Sequence, residues 1–184
     1  MSNPIDSDLP DIVFASSLPN TPAGRVESLL FVCLGNICRS PMARWITLEK
    51  CRAMGLSNLT IDSCGTGAWH AGNPADPRSA LCAANHGLDT SHTARQLRIT
   101  DTTDFDLVLA MDRSNAINLL RTGVPEERVR LIRAFDASIA PAAGASAFDV
   151  PDPYYGGHDG FEMMYQMLER ACGGMLRAIA AQRG

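Results

Sequence analysis

One short stretch decides the fold of this chain, residues 28–41, which read SLLFVCLGNICRSP. Its first five residues form an apolar run that is typical of a buried parallel strand. Gly35 and Asn36 follow in a loop, and both residue types tolerate positive φ. Ser40-Pro41 then opens a helix, because Ser is a good N-cap and Pro is favoured at the first helical position. The stretch therefore predicts a strand, a tight loop and a helix in succession.

The same alternation of strands and helices continues along the chain. Further strands are predicted over residues 59–63, 105–110 and 129–134. Further helices are predicted to begin at Asp76-Pro77, Asp112 and near Asp159. This order implies an α/β fold, a three-layer sandwich with a four-stranded parallel sheet and right-handed crossovers. Ligands of such sheets bind at the carboxyl ends of strands, so chemistry is expected in the loop after the first strand.

Length and composition narrow the class of protein. The 184 residues and the net charge of −4 are typical of one soluble globular domain, with no basic run for nucleic acid and no stretch of about 20 apolar residues for a membrane. We expect a domain over residues 28–184 and a loosely ordered tail over residues 1–27, in which Val13 and its neighbours could dock. The six cysteines show no CxxC pair, which favours reduced thiols and a cytoplasmic protein. We expect a monomer or a weak homodimer.

Cys33 and Arg39 bracket the first loop, with five residues between them. Inward-pointing amides and the helix N-terminus form an anion site suited to a phosphoryl group. Arg39 can bind two phosphoryl oxygens with its planar guanidinium. The helix N-terminus and the positive charge of Arg39 also favour the thiolate of Cys33, which is the nucleophilic form. Ser40 can donate a hydrogen bond to it. A nucleotide-binding loop is disfavoured because the Gly-Lys-Ser/Thr ending is missing.

A second motif, PDPYYG at residues 151–156, supplies a candidate proton donor. A phenolic leaving group needs one, because the pKa of a tyrosine hydroxyl is about 10. Two prolines stiffen the backbone around Asp152, and Tyr154 and Tyr155 could form the wall of a cleft for an aromatic ring. The motif by itself leaves an ordinary Asp-Pro turn open.

Taken together, the two motifs resemble those of the low-molecular-weight protein tyrosine phosphatase family. The similarity extends from about residue 28 to the C-terminus and includes IDS at 61–63, DPR at 76–78 and AMD at 110–112. The resemblance implies hydrolysis of phosphotyrosine in a protein or peptide through a cysteinyl-phosphate intermediate. It implies no metal and no cofactor.

The resemblance also implies a role for each site residue. Cys33 is the nucleophile, Arg39 binds phosphate, and Asp152 is the general acid and later the base that activates water. Cys38 is similar to a second loop cysteine that can trap Cys33 as a reversible disulfide after oxidation. The remaining implied residues bind phosphate or substrate (Leu34, Gly35, Asn36, Ile37, Cys38, Ser40, Trp69, Tyr154 and Tyr155) or hold the loop by hydrogen bonds (Asn36 and Ser40 again, with Ser63 and His92).

Three other functions stay open on the sequence. An arsenate reductase uses a similar loop but needs a relay of cysteines, and Cys82 has no second cysteine close after it. Hydrolysis of phosphoarginine could use the same loop. A phosphate-binding module would need neither a thiolate nor a positioned acid. The Ala-rich loop 136–150 looks longer than the family minimum, which could change how Asp152 closes on substrate.

Overall fold

The computed structural model describes residues 9–140 and 142–183. Within this range four parallel strands form one sheet in the order β2-β1-β3-β4. The predicted α/β architecture is therefore confirmed. The strands are β1 (Ser28–Cys33), β2 (Thr60–Gly65), β3 (Leu107–Ala110) and β4 (Val129–Leu131).

Helices connect the strands, and 3₁₀ turns occupy several of the loops. None of the described helices is long and apolar enough to cross a membrane. The α-helices are α1 (Arg39–Met54), α2 (Pro77–Asn85), α3 (Asp101–Asp104), α4 (Arg113–Arg121) and α5 (His158–Ala181).

Strands β2 and β3 begin one and two residues later than predicted, and two further boundaries are wrong for identifiable reasons. Strand β4 ends at Leu131, and a 3₁₀ turn, Ile132–Phe135, takes the place of its predicted last residues. An apolar run does not distinguish a strand from a buried turn. Helix α1 begins at Arg39 with Cys38 as its N-cap residue, and no side chain caps it. The side chain of Ser40 is instead directed to the sulfur of Cys33.

The sheet is covered on both faces, which gives the three layers. Leu29 and Phe31 of β1 pack in one core with α1 and α5. Leu30 and Val32, which point to the opposite face of the pleat, pack in a second core with α4. Burial on both faces explains why β1 reads as a continuous apolar run.

Residues 9–14 pack against the second of these cores, whereas Leu18 and Val26 pack with the first. Val13 is fully buried in the second core, in a 3₁₀ turn. The ring of Phe14 meets that of Phe148 edge to face, with centroids 5.5 Å apart. The loosely ordered tail expected from the sequence also includes residues 1–8, which lie outside the described residues.

Strand β1 lies at the point where the strand order reverses. The chain passes from β1 to β2 on one side and returns to β3 on the other. In open parallel sheets ligands bind in the crevice that such a reversal leaves at the carboxyl ends of the strands. Cys33 ends β1 and Asp112 follows β3, so both residues lie at this crevice.

Candidate active site

The loop after β1 curls around the sulfur of Cys33. Asn36 takes the left-handed conformation, with φ of 55°, and its backbone N–H donates to Cys33 Sγ over 3.2 Å. Gly35, which was expected to share the positive φ, does not take it. The small size of Gly35 is used for packing instead, because a Cβ there would lie 3.0 Å from the ring of His70.

Two donors face the buried sulfur of Cys33. One is the Asn36 amide, and the other is the hydroxyl of Ser40, whose Oγ lies 3.0 Å from Sγ. Ser40 Oγ accepts a hydrogen bond from Asn36 Nδ2 over 2.9 Å, so its own single proton is free to point at the sulfur or at the carbonyl of Cys64, 3.3 Å away. Donors placed in this way stabilise a sulfur anion.

Asn36 is the centre of the predicted hydrogen-bond network. Its Nδ2 donates to Ser63 Oγ over 3.0 Å as well as to Ser40, and its Oδ1 accepts the backbone N–H of Arg95 over 2.9 Å. His92 Nε2 lies 2.7 Å from the Asn36 carbonyl, and because a carbonyl only accepts, this nitrogen carries the proton. Burial lowers the pKa of His92 by more than this hydrogen bond raises it, and the lowered pKa keeps the ring neutral.

Arg39 is buried and connects two parts of the site. Its Nη1 donates to Asp112 Oδ2 over 2.5 Å and to the carbonyl of Val150 over 3.2 Å. Its Nη2 donates to Asp152 Oδ2 over 2.9 Å. Burial alone would lower the pKa of Arg39, but the negative charges of Cys33 and the two carboxylates outweigh it and raise the pKa. The guanidinium is therefore a fixed positive charge.

The loop that carries Asp152 is anchored from helix α2. Asp152 Oδ1 accepts the backbone N–H of Tyr154 over 3.1 Å, which closes a tight turn. Arg78 Nη2 donates to the Tyr154 carbonyl over 3.1 Å, and the guanidinium lies over the rings of Tyr154 and Phe161. Asp76 fixes Arg78 in turn, through a bond of 2.8 Å. Asp152 is thus positioned by contacts that the motif itself does not contain.

These parts enclose a cleft of about 320 Å³. Trp69 and Tyr155 stand at its rim with 73% and 94% of their surfaces exposed, and Cys33 lies at its base with 2% exposed. Ten of the predicted site residues line it together with His70, which no sequence pattern indicated: Cys33, Leu34, Gly35, Ile37, Cys38, Arg39, Trp69, Asp152, Tyr154 and Tyr155.

Comparison with known proteins decides the family. The model of the family described as low molecular weight phosphotyrosine protein phosphatase matches residues 28–184. The chain belongs to this family. A low molecular weight protein-tyrosine-phosphatase of Streptomyces coelicolor is 45% identical over 157 residues, which cover 83% of this chain and 93% of the relative. The predicted family and enzyme class are confirmed.

Solved structures of related phosphatases share the fold. A protein tyrosine phosphatase of Entamoeba histolytica superposes with a TM-score of 0.77 at 32% identity, covering 85% of this chain and 99% of its own. An arginine phosphatase of Drosophila superposes with a TM-score of 0.73 at 30% identity, covering 81% of this chain and 95% of its own.

Sequence reasoning missed two residues of this phosphatase that shape the loop. Asp112 holds Arg39 with one carboxylate oxygen and caps helix α4 with the other, which accepts the Asn115 N–H over 2.7 Å. Its place directly after a buried parallel strand was the available signal. Gly65 ends β2 beside the loop, and a Cβ there would lie 2.7 Å from the carbonyl oxygen of Leu34. This close approach depends on the pairing of β1 with β2, which no local pattern reveals.

Proposed function

We propose that this phosphatase hydrolyses phosphotyrosine in protein substrates, with Cys33 as nucleophile, Arg39 as phosphate-binding residue and Asp152 as general acid and base. The observation that carries the proposal is the convergence of these three side chains on one cleft. A binding module would need the loop amides and Arg39, but it would need neither a buried sulfur with two donors nor a carboxylate beside it.

In the first step the Cys33 thiolate attacks phosphorus in line and the P–O bond to the tyrosine breaks. The Asp152 carboxyl transfers its proton to the departing phenolate oxygen, which is a poor leaving group without that proton. In the second step the Asp152 carboxylate takes a proton from water. The water oxygen then displaces the sulfur and releases inorganic phosphate.

The loop supplies electrostatic stabilisation to both steps. The backbone amides and the Arg39 guanidinium can bind the equatorial oxygens, where charge collects in the transition state. The Ser40 hydroxyl can donate to the sulfur both as it attacks and as it leaves. Because Asp112 holds the Nη1 side of Arg39, the guanidinium is oriented before phosphate binds.

The cleft favours an aromatic phosphoester. The rings of Trp69, Tyr154 and Tyr155 stand above the sulfur and can contact a flat substrate ring, while a short phosphoserine would leave them without contact. The same rings can stack on a guanidinium, so phosphoarginine is the substrate against which phosphotyrosine must be compared.

Two further proposals concern the thiols. Cys33 oxidised by a peroxide to the sulfenic acid would be attacked by Cys38, with release of water and formation of a disulfide. Burial raises the pKa of the Cys38 thiol, so this thiol is protonated before Cys33 is oxidised. All six cysteines are free, which supports a reducing, cytoplasmic location.

Steady-state hydrolysis of phosphotyrosine, phosphoserine and phosphoarginine peptides in the presence of EDTA tests the function. Turnover selective for phosphotyrosine, abolished by Cys33→Ser and retained by the control Cys82→Ser, would support it. Selectivity for phosphoarginine would reassign the substrate. Arsenate reduction with a thiol donor and no hydrolysis would overturn the proposal.

A further inference from the structure

Three potential metal ligands meet between the end of α2 and the start of α5. Cys82 and His86 are four residues apart on α2 and its C-cap, and Glu162 projects from the first turns of α5. Cys82 Sγ, His86 Nε2 and a Glu162 carboxylate oxygen all lie within 4.8 Å of one another. None of the three residues lines the cleft or takes part in the proposed hydrolysis.

The distances from Glu162 Oε2 to the other two ligand atoms are close to those of a tetrahedral zinc site. Ligands at about 2.0–2.3 Å from Zn²⁺ in a tetrahedron are about 3.3–3.7 Å from one another. His86 Nε2 lies 2.9 Å and Cys82 Sγ lies 3.7 Å from Glu162 Oε2. The second distance already lies in this range, and a shift of a few tenths of an ångström at Oε2 would bring the first into it. The Glu162 side chain, 46% exposed, has room for such shifts.

Neighbouring residues already orient two of the ligands. The His86 ring stacks on Tyr165, with centroids 3.6 Å apart and planes at 9°, and its Nε2 faces Glu162. Glu162 Oε1 accepts a hydrogen bond from Gln166 Nε2 over 3.1 Å, which leaves Oε2 to bind the ion. Partners of this kind are typical of metal sites, where they fix the ligand geometry.

We propose that Cys82, His86 and Glu162 form a binding site for a zinc ion, with the fourth position open to solvent. A thiolate, an imidazole and a carboxylate are the donor types that Zn²⁺ takes in proteins, and hard cations such as Mg²⁺ would avoid the sulfur. His86 and Glu162 are 31% and 46% exposed, so the open position faces water.

Binding replaces a bond to hydrogen at two of the ligands and involves no redox change. The S–H bond of Cys82 breaks, its proton passes to solvent, and an S–Zn bond forms. His86 Nε2 gives up the proton that it donates to Glu162, so that its lone pair binds the ion and Nδ1 carries the one proton of the neutral ring. Burial, followed by the charge of Glu162, raises the pKa of this thiol to about 11, so without metal it is protonated. The hydrogen bond from His86 lowers the pKa of Glu162, so its carboxylate is already the ligating form.

Zinc at this position would cross-link two helices that support the acid loop. Phe161, next to Glu162, packs under the guanidinium of Arg78, which lies 4.8 Å from its ring centroid. Arg78 holds the Tyr154 carbonyl. The ion should bind the folded chain more tightly than the dispersed ligands of the unfolded one, so it should raise Tm by an amount that grows with the logarithm of the zinc concentration relative to Kd.

The test is titration of the full-length, reduced Cys33→Ser chain with Co²⁺, which reports sulfur ligation by a charge-transfer absorption band, and with Zn²⁺ by calorimetry. Cys33→Ser removes the thiol at the base of the cleft as a competing metal ligand. We expect saturation at one ion per chain, loss of the absorption band with Cys82→Ser, and affinity at least about tenfold weaker with His86→Ala or Glu162→Gln. The control His70→Ala removes an imidazole that lines the cleft, and it should leave the cobalt absorption band and the zinc affinity unchanged.

Two results would overturn the site: binding that Cys82→Ser leaves intact, or the absence of saturable binding in the Cys33→Ser chain. Hydrolysis of an aryl phosphate by Cys82→Ser, His86→Ala and Glu162→Gln in the wild-type background verifies that each variant folds. Because this activity persists with EDTA if the proposed function holds, the zinc site and the phosphatase proposal fail separately.

Discussion

Arg39 Nη2 and Asp152 Oδ2 form an ion pair of 2.9 Å, so the residue proposed to bind phosphate is bonded to the residue proposed to donate the proton. Arg39 is buried, whereas the Asp152 side chain is 38% exposed. Asp152 is therefore the partner with room to move. Under the proposed function, a phosphoryl dianion entering the loop would compete with it for Nη2, while Asp112 would retain Nη1.

Asp152→Asn is expected to have opposite effects on chemistry and on product affinity. Hydrolysis of phosphotyrosine should fall by about 10²–10⁴ because the general acid is lost, and that of an activated aryl phosphate should fall less. Inorganic phosphate should inhibit the variant several-fold more strongly, because a neutral amide competes less for Arg39. Initial rates and phosphate Ki values test this, with the exposed Asp159→Asn as control. Unchanged or weaker inhibition would contradict the competition.

Asp112→Asn isolates the charge that orients Arg39. Asparagine keeps an N-cap for α4, whereas Asp112→Ala also loses the cap and should be less stable than Asp112→Asn by about 1 kcal/mol. Both variants should lose about 10- to 100-fold in kcat/KM, because a misplaced guanidinium binds the transition state poorly. Equal activity of Asp112→Asn and wild type would show that Val150 and Asp152 suffice to hold Arg39.

Gly65→Ala tests the close approach of β2 to the phosphate-binding loop. The new Cβ would lie 2.7 Å from the Leu34 carbonyl oxygen and 3.1 Å from the Asn36 nitrogen, both of which are backbone atoms. The loop must shift, and kcat/KM should fall by about 10². Gly144→Ala, where a Cβ has no neighbour within 4 Å, is the matched control. A crystal structure of Gly65→Ala with an unmoved loop would refute this explanation.

His92 should make the fold sensitive to mild acid. Its pKa is lowered in the folded state below the ordinary value of 6.5, so between the two values the unfolded chain binds more protons. The contribution of neutral His92 to stability is then fully present above about pH 6.5, and it is lost as the pH falls toward the lower, folded pKa. His92→Gln keeps a donor for the Asn36 carbonyl but does not titrate. The difference in unfolding free energy between wild type and this variant should shrink or reverse from pH 8 to pH 5.5, as followed by urea denaturation. A constant difference would remove His92 as the cause.

Adjacent glycines of α5 should respond oppositely to alanine. At Gly174 a Cβ would lie 2.0 Å from the Phe135 carbonyl oxygen, so Gly174→Ala should cost about 1–3 kcal/mol by overpacking. At Gly173 the nearest atoms are the ends of Arg177 and Lys50, at 3.4 and 3.6 Å. Gly173→Ala should therefore stabilise the helix by about 0.5–1 kcal/mol. Chemical denaturation of both variants checks the signs, and the same sign for both would contradict the packing.

Local patterns predicted the elements well where one physical signal dominated. The Asp76-Pro77 start of α2 is confirmed, with the Asp76 side chain accepting the Arg78 N–H over 2.9 Å. At Ser40-Pro41 the same kind of signal was wrong about the cap, because the serine hydroxyl is used by the sulfur of Cys33. The N-cap propensity of serine reflects only the helix end, whereas the tertiary structure places the Cys33 sulfur within hydrogen-bonding distance of this side chain.

The sequence by itself determined the parallel α/β order, the loop of the candidate nucleophile and the candidate acid, because each of these depends on contiguous residues whose chemistry is local. The tertiary structure alone decided what holds them in place. Asp112, Gly65 and Arg78 reach the site through strand pairing and helix packing, at separations of tens of residues from the groups they contact. Contacts of that kind depend on how the layers pack, and residue type and spacing do not encode them.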